Sequence, residues 1–261
     1  MKIGFIGLGN MGAALAQAVS QQADTQLLLS NHNPVKAHAL QEKVGGQLFS
    51  NGEIAEQAEV IFLGVKPHLI QSVLSGLQDQ ISKNPSAIWI SMAAGVTLNS
   101  LEEFVSADKL IRIMPNTPVA IGQGMTTYSV VNQELAPLLE QILEKTGKVQ
   151  QVPEKLIDAA TAIAGCGPAF VYQMIEALTD AGVQNGLTAE DAKILSAQTL
   201  AGTAQMVLYS DKHPAQLRQE VTSPGGSTIA GVVALEKEGF RYAVIKAVAA
   251  ALKKTRKLGK K

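Results

Sequence analysis

The chain has 261 residues, enough for one large domain or two modest ones, and its 22 basic residues balance 22 acidic ones. A net charge of zero gives no overall field that favours nucleic acid or an acidic membrane surface. No stretch is apolar over the ~18 residues that a transmembrane helix needs. The one cysteine, Cys166, excludes an internal disulfide and favours a reducing compartment. We therefore expect a cytoplasmic protein with no nucleic-acid or membrane partner.

The first part of the chain alternates short apolar runs with segments of helical period such as "MGAALAQAVSQQ" and "HLIQSVLSGLQDQI". Strand, crossover helix and strand in succession predict a doubly wound α/β fold, with a parallel sheet covered on both faces. The predicted strands are Lys2 to Ile6, Gln26 to Ser30, Val60 to Val65, Ala87 to Ser91, Leu110 to Met114, Met125 to Val130 and the short run "KVQQV".

A glycine motif, "GLGNMG" from Gly7 to Gly12, directly follows the first strand and opens a helix. Its glycines would allow a tight turn, the close approach of a pyrophosphate to the backbone, and the packing of helix on strand. The same glycines interrupt a run that otherwise has the outline of a secretory signal peptide. The motif therefore predicts a dinucleotide-binding, Rossmann-like domain.

The end of the second strand indicates which dinucleotide is bound. An NAD site usually carries Asp or Glu about 20 residues after the glycines, to hold the ribose 2′-hydroxyl. Here the segment is "SNHNPVK", which contains no acid. Asn31 and His32, with Lys36, suit a 2′-phosphate better, so we expect NADP(H) to be preferred and NAD(H) to be possible.

Three further loops follow strand ends, where ligands of doubly wound sheets lie. The segments "GVKPHLI" and "SMAAGVT" have small residues that leave room for a flat ring, although each is also compatible with a plain strand-to-helix turn. The third, "RIMPNTPVAIGQGM", places Asn116 and Thr117 between prolines. It either shapes the nicotinamide site or makes a wide turn.

After Pro153 the pattern is helical only, which predicts a domain boundary near residue 152. The Rossmann-like domain would span residues 1–152 and a helical domain residues 153–261, including helices at Ala169 to Ala181 and Thr188 to Tyr209. Such a helical domain is too short to bury all its apolar faces, so we expect a partner subunit to cover some of them. The basic run "LKKTRKLGKK" is interpreted as a solvated helix end.

One stretch of the helical region, "VTSPGGSTIAGV", pauses at a proline and two glycines before an apolar run resumes. We expect Ser227 or Thr228 to cap a new helix there. The pause is either a plain turn or an anion site built from unpaired backbone N–H groups. Four scattered histidines and Cys166 form no ligand cluster, so no metal is expected. Cys166 itself is interpreted as a packing residue.

Six segments in order, "GFIGLGNMG", "VIFLGVKP", "SMAAGV", "RIMPNTP", "AGCGPAF" and "VTSPGGST", resemble the pyrroline-5-carboxylate reductase family along essentially the whole chain. The resemblance implies reduction of the cyclic imine 1-pyrroline-5-carboxylate to L-proline with NAD(P)H, the last step of proline biosynthesis. It also implies a homodimer that often assembles further, with a decamer as one such assembly.

The motifs and the resemblance together define the expected site. The substrate would meet Gly225, Gly226, Ser227, Thr228 and Glu154, with the Thr228 hydroxyl acting as the catalytic group at the ring nitrogen. The cofactor would meet Gly7, Leu8, Gly9, Asn10, Met11, Asn31, His32, Asn51, Val65, Lys66, Pro67, Met92, Ala93 and Ala94.

Two residues depart from the family pattern. Cys166 stands where relatives often carry serine, and Glu220 replaces an asparagine whose cofactor role is therefore not transferred.

Two other functions are compatible with the predicted domain organisation. An NADP-dependent 3-hydroxy acid dehydrogenase would share this plan and would use Lys193 as its acid or base. A sensor that holds NADP(H) without turnover is the second alternative.

Overall fold

The computed structural model describes residues 1–258. They divide into two compact units, one formed by Met1–Pro168 with the residues from Ala250 onward, the other by Ala169–Ala249. Among residues 1–258, no helix combines the length and the apolar character needed to cross a membrane.

The first unit is built on one eight-stranded sheet with strand order β3-β2-β1-β4-β5-β6-β7-β8. Every predicted strand is confirmed. The two-residue strand β3 was missed because it is too short to carry an alternating pattern. The strands are β1 (Lys2–Ile6), β2 (Gln26–Ser30), β3 (Gln47–Leu48), β4 (Val60–Leu63), β5 (Ile88–Ser91), β6 (Leu110–Met114), β7 (Gly124–Val130) and β8 (Gly147–Gln151).

Short helices connect these strands. A π-helical turn, Thr161–Gly165, follows the last of these helices. The helix predicted in "HLIQSVLSGLQDQI" is divided into two at Gly76. The helices are α1 (Asn10–Val19), α2 (Pro34–Val44), α3 (Asn51–Gln57), α4 (Ile70–Ser75), α5 (Gln78–Lys83), α6 (Leu98–Leu101), α7 (Ala136–Ile142) and α8 (Glu154–Ala160).

Both faces of the sheet are covered, as the continuous apolar strands predicted. Alternate residues of β1, β2, β4, β5 and β6 enter different core clusters. Phe5 and Phe62, on one face, stack with ring centroids 4.7 Å apart. Ile6, Ile61 and Trp89 lie in the cluster on the other face. This alternation confirms the doubly wound architecture.

The expectation of a parallel sheet is wrong for one pair of strands, because β6 and β7 run antiparallel. The chain between them reverses through a 3-10 turn, Thr117–Ile121, instead of crossing over by a helix. Asn116, 8% exposed, holds the reversal. Its Oδ1 accepts from the N–H of Met125 (2.8 Å) and its Nδ2 donates to the carbonyl of Ala164 (3.0 Å). The loop thus makes a wide turn that is bonded to β7 and to the segment after α8, and a contact of this turn with the nicotinamide stays a prediction.

The first unit extends past the predicted boundary at residue 152, to Pro168. Helix α8 packs on β7, and a buried cation beneath it adds two ion pairs. Arg112 of β6, whose side chain is 3% exposed, lies 3.0 Å from a carboxylate oxygen of Asp158 and 3.3 Å from one of Glu154. Because of these contacts, α8 belongs to the domain that contains the sheet.

The second unit contains helices only, and the predicted helices are confirmed. Thr188 caps the second of them by accepting from the N–H of Asp191 (3.1 Å). The last helix carries the basic run as far as Leu258, and residues 259–261 lie outside the described residues. The helices are α9 (Gly167–Gln184), α10 (Ala189–Tyr209), α11 (Pro214–Glu220), α12 (Ser227–Lys237) and α13 (Phe240–Leu258).

This helical unit has almost no core of its own. Between Ala169 and Ala249 only Ala192 and Ser196 are buried. Large apolar side chains are instead exposed, among them Tyr172, Ile194, Leu195, Met206, Leu208, Tyr209, Val233, Tyr242 and Ile245.

Candidate active site

The three glycines of the motif have different surroundings. Gly7 has φ +95°, and a Cβ there would lie 2.7 Å from the carbonyl carbon of Gly64, just after β4. A Cβ on Gly12 would collide with the carbonyl oxygen of Gly7. Around Gly9, by contrast, no atom lies within 4 Å of where a Cβ would be. Gly7 and Gly12 are therefore required for close packing of the backbone, while Gly9 leaves the backbone accessible to a ligand.

The start of α1 presents unpaired hydrogen-bond donors. Gly9 is the N-cap and offers no side chain to the first turn. Within residues 1–258, the backbone N–H groups of Gly9, Asn10 and Met11 donate to no acceptor. Orphan N–H groups at the positive end of a helix bind anions, so this turn fits the pyrophosphate of a dinucleotide.

One neighbouring segment is bonded to this turn, and a second segment is bonded to the first. Oδ1 of Asn31, just after β2, accepts from the N–H of Leu8 (3.1 Å), and its Nδ2 donates to the carbonyl of Asn33 (3.0 Å). Ser30 Oγ donates to Oδ1 of Asn51, the first residue of α3 (2.6 Å). His32 is exposed. The structure thus brings Leu8, Asn31 and Asn51 together.

The ends of β4 and β5 lie at the same edge of the sheet. A Cβ on Gly64 would be 3.1 Å from Cε of Met92, so the segments holding Val65, Lys66, Pro67 and Met92 are adjacent. Ala93 is buried and its N–H donates to Ser91 Oγ (3.3 Å), while Ala94 is half-buried. The predicted cofactor-binding residues therefore converge at the carboxyl ends of the parallel strands, as the fold requires.

The loop before α12 differs from the expectation in one respect. Neither Ser227 nor Thr228 is the N-cap; Gly226 is, with φ −79° and ψ 172° and no side-chain cap. The helix begins one residue earlier than expected because the extended Gly226 already ends the turn that Gly225 forms with φ +69°. Within residues 1–258, the N–H groups of Ser227, Thr228 and Ile229 donate to no acceptor, and the exposed Thr228 hydroxyl makes no hydrogen bond.

Glu154 has partners within the first unit. Its Oε1 accepts from the N–H of Leu98 (2.6 Å) and lies 3.3 Å from Arg112. The contact with substrate that the resemblance implied stays a prediction. Sequence reasoning missed Arg112. The signal was present, since one arginine inside the apolar strand "LIRIM" must find acidic partners when buried.

The remaining singled-out residues are placed as follows. Glu220 pairs with Lys212, with 2.6 Å between Oε1 and Nζ, and Lys193 is exposed on α10. Cys166 is half-buried directly after the π-helical turn. Among residues 1–258, no three His, Cys, Asp or Glu side chains are grouped so that they could hold a metal ion.

The fold and this site define a class: a Rossmann-type dinucleotide-binding domain followed by a helical unit, the plan of many NAD(P)-dependent oxidoreductases. Residues 2–95 match a family model described as NADP oxidoreductase, coenzyme F420-dependent, and residues 154–258 match one described as pyrroline-5-carboxylate reductase dimerisation.

Relatives that match along almost the whole chain identify the family within this class of oxidoreductases. A pyrroline-5-carboxylate reductase of Pisum sativum is 38% identical, over 98% of this chain and 95% of that protein. A crystal structure of a pyrroline carboxylate reductase from Plasmodium falciparum, with NADP bound, has a TM-score of 0.86 at 38% identity, covering 99% of each chain. The Coxiella burnetii enzyme's structure has a TM-score of 0.89 at 35% identity, covering 99% of this chain and 98% of that one. The chain belongs to the pyrroline-5-carboxylate reductase family.

Proposed function

We propose that this chain reduces 1-pyrroline-5-carboxylate to L-proline with NADPH, the last step of proline biosynthesis. The observation that carries the proposal is that two helices, α1 and α12, each begin with backbone N–H groups that find no acceptor within residues 1–258. The first lies in the dinucleotide motif and the second in the "SPGGST" segment. One suits a pyrophosphate and the other the single carboxylate of the substrate.

The cofactor is held by the first unit. The N–H groups of Gly9, Asn10 and Met11 bind the pyrophosphate. Asn31 and His32 border the 2′-phosphate, where no carboxylate repels it; NADH is accepted less well. The ribose and the nicotinamide lie against Asn51, Val65, Lys66, Pro67, Met92, Ala93 and Ala94. The bound cofactor supplies the hydride for the C=N carbon.

The second unit holds the substrate. The N–H groups of Ser227 and Thr228 bind its carboxylate, next to the turn formed by Gly225 and Gly226; the N–H of Gly226 itself donates to the carbonyl of Ser223 (3.1 Å). The Thr228 hydroxyl hydrogen-bonds the ring nitrogen as the imine becomes an amine. Because a protonated imine is already electrophilic, orientation supplies most of the acceleration and no strong general acid is needed. This accounts for a site in which Thr228 is the one catalytic side chain.

Steady-state oxidation of NADPH with pyrroline-5-carboxylate tests the function directly. We expect proline to form in step with NADPH loss, and faster with NADPH than with NADH. A parallel assay with a 3-keto acid addresses the dehydrogenase alternative. Turnover of the keto acid without formation of proline would overturn the proposal, as would tight NADPH binding without any turnover.

Replacing Asn31 by aspartate should shift the cofactor preference toward NADH. A carboxylate there repels a 2′-phosphate and accepts from a 2′-hydroxyl, and its oxygen still accepts from the N–H of Leu8. The ratio of kcat/KM for the two cofactors measures the effect. Ala39→Asp, which adds the same charge at an exposed position of α2, is the matched control. An unchanged ratio in Asn31→Asp would show that this loop does not read the ribose.

The active unit should be at least a homodimer, since the helical unit alone leaves its apolar faces in water. Light scattering at micromolar concentration should give at least twice the 27.5 kDa chain mass. We propose further assembly, with a decamer as the largest form considered. A fully active monomer would contradict the role of residues 153–261 in oligomerisation. A cytoplasmic location stays a proposal, supported by the single cysteine.

A further inference from the structure

A partly buried network connects three parts of the first unit. Arg112 lies on β6, Glu154 and Asp158 lie on α8, and Leu98 is the first residue of α6. One carboxylate oxygen, Oε1 of Glu154, both faces the Arg112 guanidinium (3.3 Å) and accepts from the N–H of Leu98 (2.6 Å). Asp158 meets the other end of the guanidinium (3.0 Å). Among the hydrogen bonds of residues 1–258, only that of Glu154 therefore links α8 to the start of α6.

The start of α6 is also the end of the loop that follows β5. This β5–α6 loop, Met92–Thr97, is bonded near its beginning by the N–H of Ala93 to Ser91 Oγ (3.3 Å). Its far end is fixed by the bond from Leu98 to Glu154. Between these points Gly95 takes φ +80°, where the loop turns. The Glu154 carboxylate thus limits how the loop can move toward or away from the sheet edge.

The segment that carries Glu154 is fixed at both of its ends. Arg112 binds α8 near its start. Asn116 donates to the carbonyl of Ala164 in the π-helical turn that follows α8 (3.0 Å). A loop bonded to this segment is therefore bonded to a rigid body, so the position of its small residues is defined before any ligand arrives.

We propose that Glu154 is a positioning residue for the nicotinamide end of the cofactor, acting through Leu98 and the β5–α6 loop. This inference rests on the proposed function, in which Met92–Ala94 border the nicotinamide. Arg112 orients the Glu154 carboxylate, and Asp158 keeps the arginine paired. Glu154 acts from within the first unit and touches neither the cofactor nor the reacting atoms.

The test compares two ligands on purified full-length protein. In the proposed site NADPH would contact the β5–α6 loop, whereas 2′-phospho-ADP-ribose lacks the nicotinamide and would contact only the rest of the site. For Glu154→Ala we expect the Kd of NADPH to rise about fivefold to tenfold, less than the full effect of a lost hydrogen bond to a charged group, because Glu154 acts on the cofactor only through the loop. The Kd of 2′-phospho-ADP-ribose should not change. Equal weakening of both ligands would indicate general damage and would overturn the proposal.

Three further variants separate the links of the network. Glu154→Gln keeps an oxygen that accepts from Leu98 and should restore the NADPH affinity. Leu98→Pro removes the N–H, together with a buried leucine side chain, but leaves the ion pairs. It lies at the first helical position, where proline is tolerated, and should weaken NADPH binding without weakening 2′-phospho-ADP-ribose binding. Asp158→Asn breaks only the other ion pair, so it should lower the melting temperature without changing the NADPH to 2′-phospho-ADP-ribose affinity ratio. An unchanged ratio in Leu98→Pro would refute the proposed link.

The same preparations distinguish this inference from the function on which it rests. A wild-type protein that binds NADPH without reducing pyrroline-5-carboxylate contradicts the function, and the binding ratio can still be read. A Glu154→Ala variant with unchanged NADPH affinity but a raised KM for pyrroline-5-carboxylate contradicts the positioning role. That result would favour the substrate contact predicted from the family resemblance.

Discussion

Thr228→Ala should lower kcat and kcat/KM together by about tenfold to a hundredfold, because the lost hydrogen bond to a charged or partly charged nitrogen is worth about 1.5 to 3 kcal/mol. The melting temperature should stay at the wild-type value. Gly226 is the N-cap of α12 and the Thr228 hydroxyl has no partner within residues 1–258, so the fold does not use it. Steady-state kinetics and thermal unfolding on one preparation measure both quantities.

Thr228→Ser is the matched variant for this prediction, because it keeps the hydroxyl and deletes only the methyl group. Most of the wild-type kcat should return. NADPH affinity should be the same in both variants, since Thr228 belongs to the helical unit and the glycine motif to the other. Normal kcat in Thr228→Ala would refute the catalytic role of the hydroxyl, whatever the melting temperature.

Gly9→Ala should weaken NADPH binding on the order of a hundredfold, about 2.7 kcal/mol, with little loss of stability. Gly9 has φ −69°, which any residue adopts, and the added methyl group would meet no protein atom within 4 Å. The space it enters is where a pyrophosphate approaches the backbone. Titration of NADPH fluorescence gives the affinity, and thermal unfolding without cofactor gives the stability.

Gly12→Ala provides the contrast within the same motif. Its methyl group would collide with the carbonyl oxygen of Gly7, so α1 must shift from β1 and the unfolding free energy should fall by about 1 to 3 kcal/mol. Only this variant should show a clearly lower melting temperature without cofactor. If Gly9→Ala bound NADPH as wild type does, the open face at Gly9 would not be the pyrophosphate site.

The strand pattern, the glycine motif and the pause before α12 were all predictable, because each depends on residues adjacent in the chain. Strands β1, β2 and β6 have the bounds that the apolar runs predicted. The glycines, the proline and the side-chain volumes of such segments limit the local backbone to few conformations. The sequence by itself therefore determined the doubly wound plan and the positions of the two candidate ligand-binding segments.

Only the tertiary structure decided which side chains hold these segments in position. The bond between Leu98 and Glu154 joins residues 56 positions apart, and that between Leu8 and Asn31 residues 23 apart. Such pairs form because buried polar groups need hydrogen-bond partners, and these are the groups that the fold brings near them. No local pattern specifies that choice. The antiparallel turn before β7 also depended on the fold, since Asn116 bonds Met125 and Ala164 across it.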